Sequence, residues 1–500
     1  MVASPEKAPQ AQSARNSEVI SSEKLNSRPG PDAVLRQIAD YVERFEIKSE
    51  LAYSTARLSL MDSLSCGLES LSYPACTKLL GPTVPKTVVP NGARVPGTEF
   101  QLDPIDAAFN IGCMVGWLDF NDCLPRGAEY GHPSENLGGI LATADYLSRT
   151  RLVQGGAPLV MREVLTAMIK AYEVQGVLAL ENSFHSIGLD QEVLVRVATA
   201  AVATKLLGGE WQGIVNAVSQ AWVDGSGLRA YRQYPNTGSR KSWAGGDTTS
   251  RAVWLAFITL KGEMGYPSVL TAKTWGLFDA LFKGQPFKLQ RPYSSYIAEN
   301  VLFKVSYPAE ANGQTAVECA VKLHPLLKDR LEDIERITLS TQETAIRIID
   351  KKGPLANPAD RDHCLQYMTA IGLIFGNLTA ADYEESVAAD PRIDALRAKM
   401  VVVEDKQYSA DFLDPEKRSI ANAIQIQFKD GTLSEKVEVQ YPIGHPRRRA
   451  EAIPLLVEKF KTALARRFPS GQQERILSLC LDQTRLEELP ANEFMDAFVI

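Results

Sequence analysis

Asp119, Asp122 and His132 are side chains with which a protein moves protons, and one short stretch holds all three. The apolar run 105–117 predicts a helix that ends at the two acids. Pro125, Gly127 and Gly131 predict a loop, and Ser134 after His132 and Pro133 is expected to cap the next helix. Such a loop can fold back so that His132 faces the acids beside a helix N-terminus, where backbone N–H groups and the dipole favour an anion. A carboxylate there would orient the imidazole and raise its pKa toward neutrality, which suits proton transfer. The same spacing also fits an ordinary helix–loop–helix with solvated acids, so these residues alone leave both readings open.

Other chemistries are easier to exclude. His132, His185, His324, His363 and His445 show no H-x-x-x-H ligand spacing, and seven cysteines are scattered with no C-x-x-C pair. That pattern fits reduced thiols in an intracellular protein, and neither an iron–sulfur cluster nor another metal site is expected. The net charge of −6 argues against nucleic acid as a partner. No apolar run approaches the ~20 residues that span a bilayer, so no membrane partner is expected. Residues 1–30 are rich in Ser, Ala, Pro and Gln and read as disordered; their acids make them a poor transit peptide. A cytoplasmic location is therefore expected, with the mitochondrial matrix as the alternative.

Five hundred residues exceed one ordinary core. From 31 to 291 the periodicity is helical, with stripes such as Val34, Leu35, Ile38 and Val42, and helices expected at 105–117, 134–148, 160–181, 191–207, 211–223 and 250–264. Residues 292–445 change texture: a strand is expected at 301–307, a helix at 314–327 and a strand at 334–340. Alternating Ile424, Ile426 and Phe428, the Asp430-Gly431 turn and Val437, Val439 and Tyr441 form a hairpin. Helices return over 446–500. The fold expected is mainly α: a large all-helical domain in two chain segments (31–291 and 446–500) with a smaller α+β lid inserted (292–445).

D-F-N-D at 119–122 followed by G-H-P-S-x-N-L-G-G at 131–139 resembles the signature of the MmgE/PrpD family, and within it the members that dehydrate 2-methylcitrate. Blocks at 221–225, 235–243, 299–308, 352–363 and 441–445 extend the resemblance from about residue 32 to the C-terminus. It implies the same two-segment helical domain with an α/β lid and the active site between them, a homodimer, and a hydro-lyase that acts on a small tricarboxylate without a cofactor. Dehydration of a citrate removes a proton α to a carboxylate and expels a hydroxide-like group from the next carbon. Cations must therefore neutralise carbanion-like charge, and an acid must serve the leaving oxygen.

Carried over by motif, the resemblance implies His132, oriented by Asp119, as the catalytic proton-transfer group, Lys241 and Lys304 for substrate carboxylates, and Tyr367 as a donor to substrate or leaving hydroxyl. Cys123, Arg240, Ala311 and Asn312 are expected to line the substrate. His185 stands where closely similar members carry Asn and more distant ones, including cis-aconitate decarboxylases, carry an active-site His; it is counted with the catalytic candidates. Gln233 replaces a His, and Ala311-Asn312 replace Phe-His. Loss of the ring at 311 would open space for an alkyl group longer than methyl, which implies an alkylcitrate dehydratase of specialised metabolism as the alternative. A decarboxylase on the same fold and a non-catalytic tricarboxylate-binding paralogue are further alternatives.

Overall fold

A computed structural model describes residues 28–125, 127–224, 227–233 and 235–500. Of the segment expected to be disordered, residues 1–27 lie outside the described residues. The chain is mainly helical. Long helices at Glu50–Ser70, Pro104–Gly116, Leu137–Val153, Met161–Glu181, Glu192–Leu206, Trp211–Val223 and Arg240–Leu260 pack into one core. Local chemistry starts them where expected: the Ser49 hydroxyl accepts from the Ala52 N–H, and Asp103 accepts from Ile105 and Asp106 ahead of Pro104.

Two starts differ from expectation. The helix expected at 250–264 begins at Arg240, because Gly245 and Gly246 are contact points rather than breakers. A Cβ on Gly112 would lie 2.7 Å from the Gly246 Cα, so the pair lets the helix that leads to Asp119 and the helix that carries Lys241 approach backbone to backbone. Ser134 does not cap a helix: Pro133–Asn136 is a 3₁₀ turn with His132 at its N-cap, and the Ser134 hydroxyl accepts from Asn121 Nδ2 at 2.9 Å instead.

Residues between 34 and 305 share this core with residues from Ala452 to Phe498; helix Arg449–Arg467 packs against Glu50–Ser70. A second core draws on residues from Tyr307 to Val439. It holds helices Gln314–Leu327 and Leu365–Phe375 against a four-stranded sheet. A short ladder of β1 (Ala93–Arg94) and β2 (Gln101–Leu102) precedes that sheet in sequence. The sheet itself comprises β3 (Ile334–Thr341), β4 (Met400–Glu404), β5 (Asn422–Phe428) and β6 (Val437–Val439), in the order β4-β3-β5-β6. The hairpin forms as read, with Asn422 opposite Val439 and Gly431 at φ 86° in its turn. Strand β4, parallel to β3, has too short a run to stand out in the sequence.

The strand expected at 301–307 is not one. Leu302 makes an isolated bridge to Cys123, Phe303 N–H donates to the Gly444 carbonyl, and Lys304 turns inward. This segment crosses between the two cores with each residue fixed by a different neighbour. Among the described residues no helix is long and apolar enough to cross a membrane. All seven cysteines are buried and unbridged.

Candidate active site

Helix Pro104–Gly116 delivers the chain to Asp119, which sits in the left-handed region at φ 48°. That conformation costs an L-residue about 1 kcal/mol, and Asp tolerates it better than most. The Asp119 carbonyl accepts from Lys304 Nζ at 2.7 Å, and its carboxylate accepts from the same ammonium at 2.5 Å. Lys241 Nζ lies 3.4 Å from the other carboxylate oxygen and 2.8 Å from Asp362 Oδ2. His363 Nδ1 lies 2.7 Å from Asp362 Oδ1 and 3.7 Å from Asp119. One buried cluster thus joins Asp119, His132, Lys241 and Lys304 to Asp362 and His363, which lie just before helix Leu365–Phe375 of the second core.

The loop folds back as the spacing suggests, but the backbone orients His132. Its Nδ1 donates to the Asp122 carbonyl at 2.7 Å, so the neutral ring presents a lone pair at Nε2, 3.3 Å from Asp119 Oδ1. The Asp122 carboxylate accepts from Ser134 N–H and from the Tyr172 hydroxyl. Burial pushes its pKa up to about 6.

The expected rise of the His132 pKa is corrected. Burial lowers it to about 3, outweighing the pull of Asp119, and Lys304 lowers it further. For Asp119 the balance is opposite: burial opposes its charge, but Lys304, Lys241, His132 and His363 hold the carboxyl well below its usual range. Lys241 and Lys304 are raised, since Asp362 and Asp119 more than offset burial. At neutral pH the cluster therefore contains the Asp119 carboxylate, two ammoniums and neutral imidazoles. The His132 ring nitrogens should show no titration between pH 5 and 8 by nitrogen-15 NMR; an inflection near 6.5 would contradict this electrostatic picture.

Asp119, Asp362 and His363 each offer a metal-ligand atom, and these atoms lie within 4.8 Å of one another. Lys241 already bridges the two acids and Lys304 holds Asp119, so a divalent cation would have to displace two ammoniums. The donor set fits lysine better than metal.

The other sequence-derived candidates scatter. Cys123 adjoins the site, its Sγ 3.7 Å from His132 Nδ1, and packs with Leu302, Ala311 and Ile420. Asn312 is buried and bonded to Glu310, Gln342 and Asn422. Arg240 points away from the cluster: it is solvent-exposed, pairs with Asp247 and lies over Trp243, while its neighbour Lys241 turns inward. Tyr367 donates to the Asp382 carbonyl at 2.6 Å and stacks on Tyr383 inside the second core. His185 is held by Glu129 at 2.9 Å and faces Arg347 of helix Glu343–Ile349, outside the Asp119 cluster. Asp362 and His363 were missed as site residues. They end the 352–363 block, but nothing in the sequence links them to Lys241.

A mainly helical core, an α+β unit and a buried lysine–aspartate–histidine cluster define a class, and comparison with known proteins agrees on which. The model of the MmgE/PrpD N-terminal domain matches residues 36–290, and that of the MmgE/PrpD C-terminal domain matches residues 307–483. The chain belongs to the MmgE/PrpD family. It is 64% identical to a 2-methylcitrate dehydratase of Cupriavidus necator, over 95% of this chain and 98% of that protein. It is 61% identical to the 2-methylcitrate dehydratase of Escherichia coli K12, over 95% and 99%. With the mitochondrial 2-methylcitrate dehydratase of Yarrowia lipolytica it shares 54% identity, over 97% and 93%.

Proposed function

We infer that this chain is a hydro-lyase that removes water from 2-methylcitrate to give 2-methyl-cis-aconitate. The observation that carries the reading is the buried Asp119–His132–Lys241–Lys304 cluster, in a chain that nearly spans relatives named for that reaction. Substrate carboxylates take the places of Asp119 and Asp362 on the two ammoniums. The Nε2 lone pair of His132 removes the proton α to a carboxylate, and Lys304 and Lys241 neutralise the charge that develops there. The leaving hydroxyl draws its proton from Lys241, which rests on Asp362. Residues 292–445 act as the lid over this cleft, carried between helical segments 31–291 and 446–500. The enzyme works as a homodimer in the cytoplasm, with the mitochondrial matrix as the alternative location; light scattering and cell fractionation test these two points.

A second reading concerns the alkyl group. Ala311 forms a small apolar wall with Cys123, Leu302 and Ile420, and Cys123 touches His132. A methyl at position 311 leaves more room there than a ring would, which favours a 2-alkylcitrate with a longer chain as an accepted substrate. The test of both readings is ultraviolet absorbance of the new conjugated double bond, with EDTA-dialysed enzyme on citrate, 2-methylcitrate and 2-hexylcitrate. Best turnover on 2-methylcitrate, undiminished by EDTA, is expected. Ala311→Phe should abolish any turnover of the hexyl compound while sparing the methyl one; equal hexyl turnover would remove the wall from the account. Release of carbon dioxide from cis-aconitate, or tight binding without turnover, would overturn the dehydratase reading.

A further inference from the structure

Lys459 lies near the middle of helix Arg449–Arg467, in the chain segment farthest in sequence from the signature loop, and is buried. Its ammonium donates to three acceptors on three separate segments. These are Asp62 Oδ1 on helix Glu50–Ser70 at 2.7 Å, the Phe120 carbonyl at 2.7 Å and the Lys304 carbonyl at 3.0 Å. The same nitrogen lies 3.6 Å from the centre of the Phe120 ring. An ammonium has three N–H donors, so all of them are engaged.

The acceptors give the contact its meaning. Phe120 follows Asp119, whose own carbonyl is held by Lys304, so two consecutive carbonyls of the left-handed turn each accept from a buried lysine. Lys459 also grips the backbone of Lys304. It therefore fixes the two segments whose side chains meet at 2.5 Å in the Asp119–Lys304 pair. Apolar packing alone constrains a turn and a non-strand crossing only loosely, whereas directed bonds from one charged nitrogen set their separation.

We propose that Lys459 is a positioning residue of the active site, holding the Asp119 turn and the Lys304 segment in mutual register for proton removal. This inference rests on the assignment of Asp119 and Lys304 to the reaction. Asp62, its counter-charge, serves stability instead: Asn at 62 can still accept a hydrogen bond and leaves both carbonyl contacts of Lys459 in place.

The test compares Lys459→Met and Asp62→Asn by steady-state kinetics on 2-methylcitrate, with rates normalised to the natively folded fraction from circular dichroism. Displacement of reacting groups by about 1 Å costs on the order of 10²-fold. Lys459→Met should therefore lose roughly 30- to 100-fold in kcat with KM changed less than about threefold, and Asp62→Asn should lower the urea midpoint while keeping kcat within about threefold. A purely structural lysine would reduce the folded fraction and leave kcat per folded molecule intact; that result, or equal kcat losses in both variants, overturns the proposal. If Lys459→Met does not fold, Lys459→Arg takes its place, because a guanidinium keeps the charge but cannot repeat the three-way geometry of an ammonium. Full kcat in that variant, or failure of both to fold, overturns the proposal as well. An active Lys304→Met would instead defeat the underlying site assignment, whatever Lys459 does.

Discussion

His132→Asn is expected to lower kcat on 2-methylcitrate by about 10³-fold while leaving the protein folded. The choice of Asn follows from the geometry. Its Nδ2 can replace the imidazole Nδ1 as donor to the Asp122 carbonyl, so the loop keeps its 2.7 Å anchor. What disappears is Nε2, the only ring nitrogen with a free lone pair in the neutral tautomer, and it faces the Asp119–Lys304 pair. Positioned proton transfer contributes typically about 10²–10⁴-fold, and KM should move little because the two ammoniums remain. Steady-state kinetics with circular dichroism as the folding control decides it. A loss below about tenfold would move the base elsewhere, to His363 first, since that is the other imidazole within reach of Asp119.

Burial holds the pKa of His132, the base proposed above, at about 3 in the free protein, and that needs an explanation. Burial is the larger influence, and Asp119 offsets it only partly because Lys304 and Lys241 already claim that carboxylate. When substrate carboxylates draw the ammoniums away, Asp119 is left facing Nε2 with fewer competing cations. Its Coulomb attraction for an imidazolium then grows, and the basicity of His132 rises in the complex alone. On the proposed assignment, this arrangement keeps the imidazole unprotonated in the free protein and makes it a stronger base once substrate is bound.

The sequence showed parts of this arrangement and hid others, for physical reasons. Helices are legible because a 3.6-residue apolar period survives burial, and the hairpin because Asp430-Gly431 interrupts two alternating runs. The 301–307 segment misled because Val301, Phe303 and Val305 alternate like a strand, yet its bonds go singly to Cys123, Gly444 and Asp119. Asp119 and His132 were found because loop closure brings close neighbours together. Lys241 and Lys304 needed the motif blocks, and Asp362 was invisible because no local pattern reports a contact between distant segments. Lys459, between Glu458 and Phe460, carries no local pattern that sets it apart from a solvated lysine. A charge becomes interesting only once burial is known, and burial is a property of the fold.

Lys304→Met should produce the largest combined effect: loss of turnover by at least about 10³-fold and a loss of roughly 3–5 kcal/mol in urea unfolding, as for breaking one side of a buried ion pair. The side chain is 2% exposed and supplies two bonds to Asp119, one to the carboxylate and one to the strained carbonyl. Removing it leaves a buried carboxylate with Lys241 at 3.4 Å as its nearest ammonium. The double variant Asp119→Asn/Lys304→Met separates the two effects. With the orphan charge neutralised, most of the lost stability should return, since Asn accepts the left-handed conformation at 119 and a neutral pair needs no counter-ion. Turnover should not return, because Lys241 alone then faces a developing charge that two ammoniums are needed to neutralise. Recovery of both would mean that Lys304 only balances Asp119. Recovery of stability alone would mean that the protein tolerates the buried pair for the sake of the reaction, holding two cations ready on acids that the substrate's own carboxylates can replace.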